Sequence, residues 1–254
     1  MNTIEEKKIG FGDLIRIRSQ EDFSNFLIGL AVEQYCSWRK KNNEPLGKVL
    51  AICATNREAI MLPKFPFDKI VLTGIHDQTE NLRPYLDRDH RVEYRVENAE
   101  KLSFENAEYD LVFCKSGLHH LARPVQGLYE MLRVCNSAAI FIEPFETPLS
   151  NVLDRLNLRS KYERQDDMNI EGRDNYVFRW QRRLLEQLLN SYYLESGYKL
   201  DIVRGWMSSR YNAHDNGIVR MASSVAGFLA SNLPGCGGNQ IICTINPGMN
   251  LPPN

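Results

Sequence analysis

The run NAEKLSFENAEYDLVFCKSGLHHLARPVQGLYEMLRV (98–134) carries a strand and a helix in close succession. YDLVFC (109–114) has the length and apolar texture of a strand buried on both faces. Over Pro124–Val134 the period changes: Val125, Leu128, Met131 and Leu132 share one helical face, and proline stands where a helix opens. AAIFIE (138–143) then returns to strand texture. Strand, helix and strand in this order argue a parallel sheet with helices on both faces, an α/β doubly wound fold.

The same texture extends in both directions. KVLAIC (48–53), KIVLTGI (69–75) and VEYRV (92–96) are further strand candidates upstream, and KLDIV (199–203) and QIICTI (240–245) downstream. Before them, Phe23, Phe26, Leu27, Leu30 and Val32 predict a helix over 19–41, capped by Ser19 with Asp22 three positions on. Arg39, Lys40 and Lys41 suit its C-terminal charge, and the breaker run 42–45 ends it. Trp180, Leu184, Leu185, Leu188, Leu189 and Tyr192 predict a later helix closed by Gly197. The expected organisation is an N-terminal helical segment (1–47), a main domain (48–246) and a frayed tail (247–254). Insertions near 148–178 and 204–238 either roof a ligand crevice or form solvated loops.

The chain has 254 residues, 43% apolar and 25% charged, which suffices for a substantial core. Its formal charge of -1 provides no field that steers it to nucleic acid or anionic lipid, so neither partner is expected. With no apolar run of membrane-spanning length and no apolar leader at the start, the sequence reads as a cytoplasmic protein. Six cysteines (36, 53, 114, 135, 236, 243) form no C-x-x-C pair, and Cys53, Cys114 and Cys243 are expected to be buried small hydrophobes. The five histidines include one adjacent pair, His119–His120, and no ligand spacing for a metal, so no metal is expected.

The stretch from Lys48 to Glu143, most specifically residues 98–134, resembles the core of the UbiE-like, or type 11, class I S-adenosylmethionine-dependent methyltransferases. The likeness lies in the "AE-x-L-x-F" segment, the "DLV" strand, the histidines at its end and the "E-x-x-R-V" helix. It implies a Rossmann-like, mostly parallel seven-stranded sheet with a late antiparallel strand, and S-adenosylmethionine as cofactor. By position it implies Cys53, Ala54, Thr55 and Asn56 beneath the cofactor's methionine portion, and His76 with Asp77 at the ribose. Asn98, Ala99 and Glu100 fall at the adenine, with Lys115 at the end of the next strand.

These positions depart from the family pattern. Ile52, Ala54 and Asn56 stand where glycines let backbone approach the cofactor. His76 replaces the ribose-binding acid, with Asp77 one place late, and Asn98 replaces the adenine-binding acid, with Glu97 one place early. A hydrogen bond to a charged group contributes roughly 1.5–3 kcal/mol, so losing two moves a micromolar ligand toward millimolar affinity.

Methyl transfer from a sulfonium asks the protein for placement, a dry pocket and a base. His119, His120 and Glu143 lie at carboxyl ends of strands, where the base belongs, although each has an ordinary structural role open to it. Arg173, Tyr176 and Arg179, and Trp206, Arg210, Tyr211 and His214, either face the substrate or are surface and packing residues. The expectation is O- or N-methyl transfer to a small molecule. The rival is an inactive relative kept as a ligand-binding or scaffolding subunit, with a homodimer or a protein partner open in either case.

Overall fold

The computed structural model describes residues 2–10, 13, 17, 19–147, 155, 156, 162, 163, 175–194, 196–205, 225 and 240–247. In chain order the elements are β1 (Thr3–Lys8), α1 (Gln20–Lys41), β2 (Lys48–Ile52), α2 (Asn56–Met61), β3 (Lys69–Gly74), α3 (Thr79–Leu86), β4 (Val92–Val96) and β5 (Tyr109–Lys115). There follow α4 (Pro124–Val134), β6 (Cys135–Pro144), β7 (Tyr162–Glu163), β8 (Asn175–Tyr176), α5 (Arg182–Tyr193), β9 (Tyr198–Gly205) and β10 (Gln240–Pro247), with 3-10 turns at Leu62–Lys64 and Leu118–His120. One sheet runs β1-β9-β10-β6-β5-β2-β3-β4, in which β10 is antiparallel to both neighbours and every other pairing is parallel. β7 and β8 pair separately.

Period-two alternation divides the strands between two cores. Val49, Ala51, Ile70, Leu72, Phe113 and Ile140 pack with α1, α2 and α3 on one face. Leu50, Ile52, Val71, Val112, Cys114 and Phe141 pack with α4 and α5 on the other. The sheet is Rossmann-like and doubly wound, as expected, but it has eight strands rather than seven. The addition is β1, in a segment expected to be helical. TIEEKK shows no apolar alternation, and β1 joins the edge through its backbone ladder to β9, with Glu6 paired to Arg204 and Glu5 to Lys199.

Helix α1 is capped as predicted, Ser19 Oγ accepting the Asp22 amide at 2.9 Å. The later helix begins after Trp180 instead of including it: Gln181 is the N-cap, and Trp180 bridges to Phe145 at the end of β6. The insertions near 148–178 and 204–238 fall mostly outside the described residues, as do Arg173, Trp206, Arg210, Tyr211 and His214. No described helix is long and apolar enough to cross a membrane.

Asp110, the acid of the "DLV" strand, is a register device. Its Oδ2 accepts the Lys48 amide at 2.9 Å, and its Oδ1 lies 3.5 Å from the buried Arg39 guanidinium, which also donates to Pro45 O and Ser137 Oγ. This fixes the starts of β2, β5 and β6 against the end of α1. Gly47 leaves room for it: its φ is +68°, and a Cβ there would fall 1.9 Å from Asp110 Oδ2. Gly47→Ala therefore combines left-handed strain with overpacking and is expected to destabilise the protein by more than about 2 kcal/mol, read as a lower urea midpoint at unchanged slope.

Candidate functional site

The carboxyl ends of β2, β3, β4 and β5 lie side by side, so the turns that follow them share one edge of the sheet, the place where open α/β sheets take ligands. After β2, Cys53 has φ +52°. A non-glycine residue thus keeps the left-handed bend that a glycine-rich turn adopts without cost. The bend ends the strand's alternation and brings Cys53 to the face of Ile52 and Cys114, where it is half-buried instead of fully buried as expected. Ala54 is buried and donates its amide to Thr73 O at 2.8 Å. Thr55 then caps α2 in a capping box with Glu58, whose Oε2 accepts Thr55 N and Thr55 Oγ1 at 2.7 Å each. Asn56 is exposed. Ile52 packs in the core.

After β3, Ile75, His76 and Asp77 are exposed. The loop is pinned by Tyr94, whose hydroxyl donates to His76 O at 2.6 Å and crosses so close to Gly74 that a Cβ there would lie 2.6 Å from it. Asp77 Oδ1 accepts both Thr79 N at 2.9 Å and Thr79 Oγ1 at 2.6 Å. Those Thr79 hydrogen bonds hold the Asp77 carboxyl below the usual range.

After β4 the acids are engaged internally. Glu97 takes Ser103 N at 3.1 Å and Ser103 Oγ at 2.5 Å, and Asn98 Oδ1 accepts the Glu100 amide at 2.9 Å. Glu100 receives Arg123 N and Arg123 Nε at 2.7 Å each. Burial would raise its pKa, but these Arg123 contacts outweigh that and hold it low. Ala99 is buried beneath this loop.

At the end of β5, Lys115 is half-buried, its Nζ 3.3 Å from Ser116 Oγ. Burial lowers its pKa, partly opposed by Glu58 and Glu143. Ser116 has φ +51° and turns the chain into Gly117 and the 3-10 turn.

That turn is organised by Glu143, which is fully buried at the end of β6. Its Oε1 accepts the Gly117 and Leu118 amides at 2.8 Å each, and its Oε2 lies 2.5 Å from His119 Nδ1. With the carboxylate on Nδ1, the proton of a neutral His119 ring sits there, leaving Nε2 as the acceptor nitrogen. His119 is buried, and His120 is half-buried with its ring centroid 3.9 Å from that of His119. The three candidate catalytic residues are thus in one cluster, although a gap of 24 residues separates His119 from Glu143. Tyr176 is exposed and Arg179 half-buried. Among the described residues no group of three or more His, Cys, Asp or Glu side chains is arranged to hold a metal ion.

The donor set suits an adenosyl sulfonium, though with different members from the family pattern. Asp77 uses one carboxylate oxygen on Thr79, which leaves Oδ2 for a hydroxyl, and Asn98 keeps its amide nitrogen. Lys115 offers a half-buried ammonium for a carboxylate, and Ile75 and Val96 present apolar surface at the rim.

Residues 37–142 match the family model described as "Methyltransferase domain". No curated protein sequence matches the chain. Among solved structures, YcgJ from Bacillus subtilis superposes with a TM-score of 0.53 at 11% identity, covering 86% of this chain and 99% of its own. A putative methyltransferase from Bacillus halodurans gives 0.52 at 12% identity, covering 84% and 98%. The magnesium protoporphyrin IX methyltransferase of Synechocystis PCC 6803, solved with bound SAH, gives 0.51 at 12% identity over 87% and 85%. At these identities the superpositions speak for the fold, and the family match speaks for the sequence. Residues 37–142 are thus similar in sequence to the methyltransferase-domain model, and the chain shares the Rossmann-like fold of these structures.

Proposed function

We propose that the protein transfers the methyl group of S-adenosylmethionine to an oxygen or nitrogen of a small molecule. The reading rests on the Glu143–His119–His120 cluster beside the sheet edge formed by the carboxyl ends of β2 to β5. The cofactor supplies an activated methyl group, so the protein's work is placement and proton removal. Asp77 and Asn98 would hold the nucleoside, with Cys53, Ala54, Thr55 and Lys115 beneath the methionine portion. His120, the more accessible histidine, would take the acceptor's proton. His119 and Glu143 would act as positioning residues, setting the ring against which His120 packs.

The test incubates the protein with methyl-labelled cofactor and the small-molecule fraction of a cell extract, then follows label into acceptors. His120→Ala is expected to lower turnover by about 10²- to 10⁴-fold with cofactor affinity unchanged. Equal turnover by the variant would remove His120 from the chemistry, and no label transfer by the native protein would remove the reaction.

One observation favours a second reading: Glu97 and Glu100 are committed to the protein's own loop and arginine. A subunit that binds a ligand or scaffolds an active partner would retain the sheet with such commitments. It predicts a stoichiometric partner on native purification, and a catalytically active lone chain contradicts it.

A further inference from the structure

Two thiols meet beneath the β2 turn. β2 and β5 are parallel neighbours with Ile52 opposite Cys114, so Cys53 is one residue past the last paired position. Had the strand continued, its side chain would point to the opposite face. The left-handed bend turns it back onto the face that holds Cys114. Both sulfurs then border the space above Gly117: a Cβ built there would lie 2.9 Å from Cys114 Sγ, 3.1 Å from Cys53 Sγ and 2.5 Å from Cys53 Cβ. A side chain at 117 would press on both sulfurs, and glycine leaves that space open. Cys53 is half-buried and Cys114 fully buried, so an oxidant in solvent reaches one before the other.

We propose that Cys53 and Cys114 form a peroxide-oxidisable dithiol, closing to a disulfide that ties the β2 turn to the end of β5. The Cys53 thiolate attacks one oxygen of hydrogen peroxide, the O–O bond breaks and hydroxide leaves, giving a sulfenic acid. The Cys114 sulfur then displaces the sulfenic oxygen, which departs as water carrying the Cys114 proton. Two thiols are oxidised by two electrons, and one peroxide is reduced to two waters. Burial raises the Cys114 thiol well above its ordinary pKa, so it enters as the resolving thiol and not as the one that meets peroxide first. The inference needs no bound cofactor, although Cys53 is also one of the residues placed beneath the methionine portion.

The experiment treats the full-length native protein, without added ligand, with hydrogen peroxide, blocks remaining thiols with N-ethylmaleimide and maps peptides by mass spectrometry. The expected product is a Cys53–Cys114 linked peptide pair lighter by two hydrogens, reversed by dithiothreitol. Cys53→Ser is expected to abolish the link. Cys114→Ala is expected to leave Cys53 as a sulfenic acid trapped by dimedone, and because Cys53→Ser alters only a half-buried turn residue, the test does not depend on the buried variant folding. Peroxide treatment that leaves Cys114 fully alkylated, takes Cys53 only to sulfinic acid or links Cys53 to another cysteine would overturn the proposal.

Discussion

Glu143→Gln is expected to keep the fold and reduce turnover by about 10²- to 10⁴-fold. Glutamine's carbonyl oxygen can still accept the Gly117 and Leu118 amides, both of which bond Oε1 of Glu143. Its amide nitrogen, however, would face His119 Nδ1 and needs a lone pair there. The ring responds by moving its proton to Nε2, which reverses the polarity of the imidazole presented to His120. A structural role alone would leave kcat unchanged once folding is matched, so kcat for folded Glu143→Gln separates the two. Glu143→Ala has a different consequence. It leaves two amides and a ring nitrogen without their acceptor in a site closed to water, at a cost of about 3–5 kcal/mol, read by denaturant unfolding.

Trp180→Ala is the largest expected loss from packing alone, about 3–5 kcal/mol. Trp180 is fully buried against Phe141 and Phe178, with ring centroids 5.3 and 5.1 Å away. Its backbone donates to Pro144 O at 3.0 Å and accepts from Glu146 N at 2.9 Å, so the ring anchors the chain entering α5 to the end of β6. The next residues back along β6 include Glu143, and a cavity under Phe141 loosens the strand that carries it. Among the described residues the indole N–H has no hydrogen-bond partner. Trp180→Phe therefore removes a buried polar group along with some volume and is expected to cost only about 1–2 kcal/mol. Urea midpoints of the two variants give the comparison, and equal losses would mean that packing of the ring is not what holds the segment.

The elements that the sequence makes legible are those whose pattern meets the core. β2, β3, β5 and β6 are apolar because both faces are covered, while α1 declares itself by its cap and period and α4 by its opening proline and period. β1 carries no such signal, because a charged edge strand is held by its neighbour's backbone and by ion pairs to β9. Trp180 has helical spacing with the leucines after it, yet its register belongs to a bridge with Phe145, a long-range contact that periodicity cannot see. In the site, strand ends bring the candidates to one edge of the sheet. Their partners are another matter: the Glu143–His119 contact and the Glu100–Arg123 contact join separate loops. The Thr55–Glu58 capping box, by contrast, follows the T-x-x-E spacing of a helix start and was open to reading from sequence. Asp110 looks like a family signature in the sequence, and its contacts to Lys48 and Arg39 give it a structural task.

If the sheet edge over β2, β3 and β5 takes the adenosyl cofactor through a replaced donor set, titration calorimetry of the native chain with S-adenosylhomocysteine detects it directly. Saturable one-site binding between micromolar and millimolar, weakened by Asp77→Ala and by Lys115→Ala, is the predicted result. Absence of any heat at millimolar ligand, or binding that both variants leave unchanged, would contradict it.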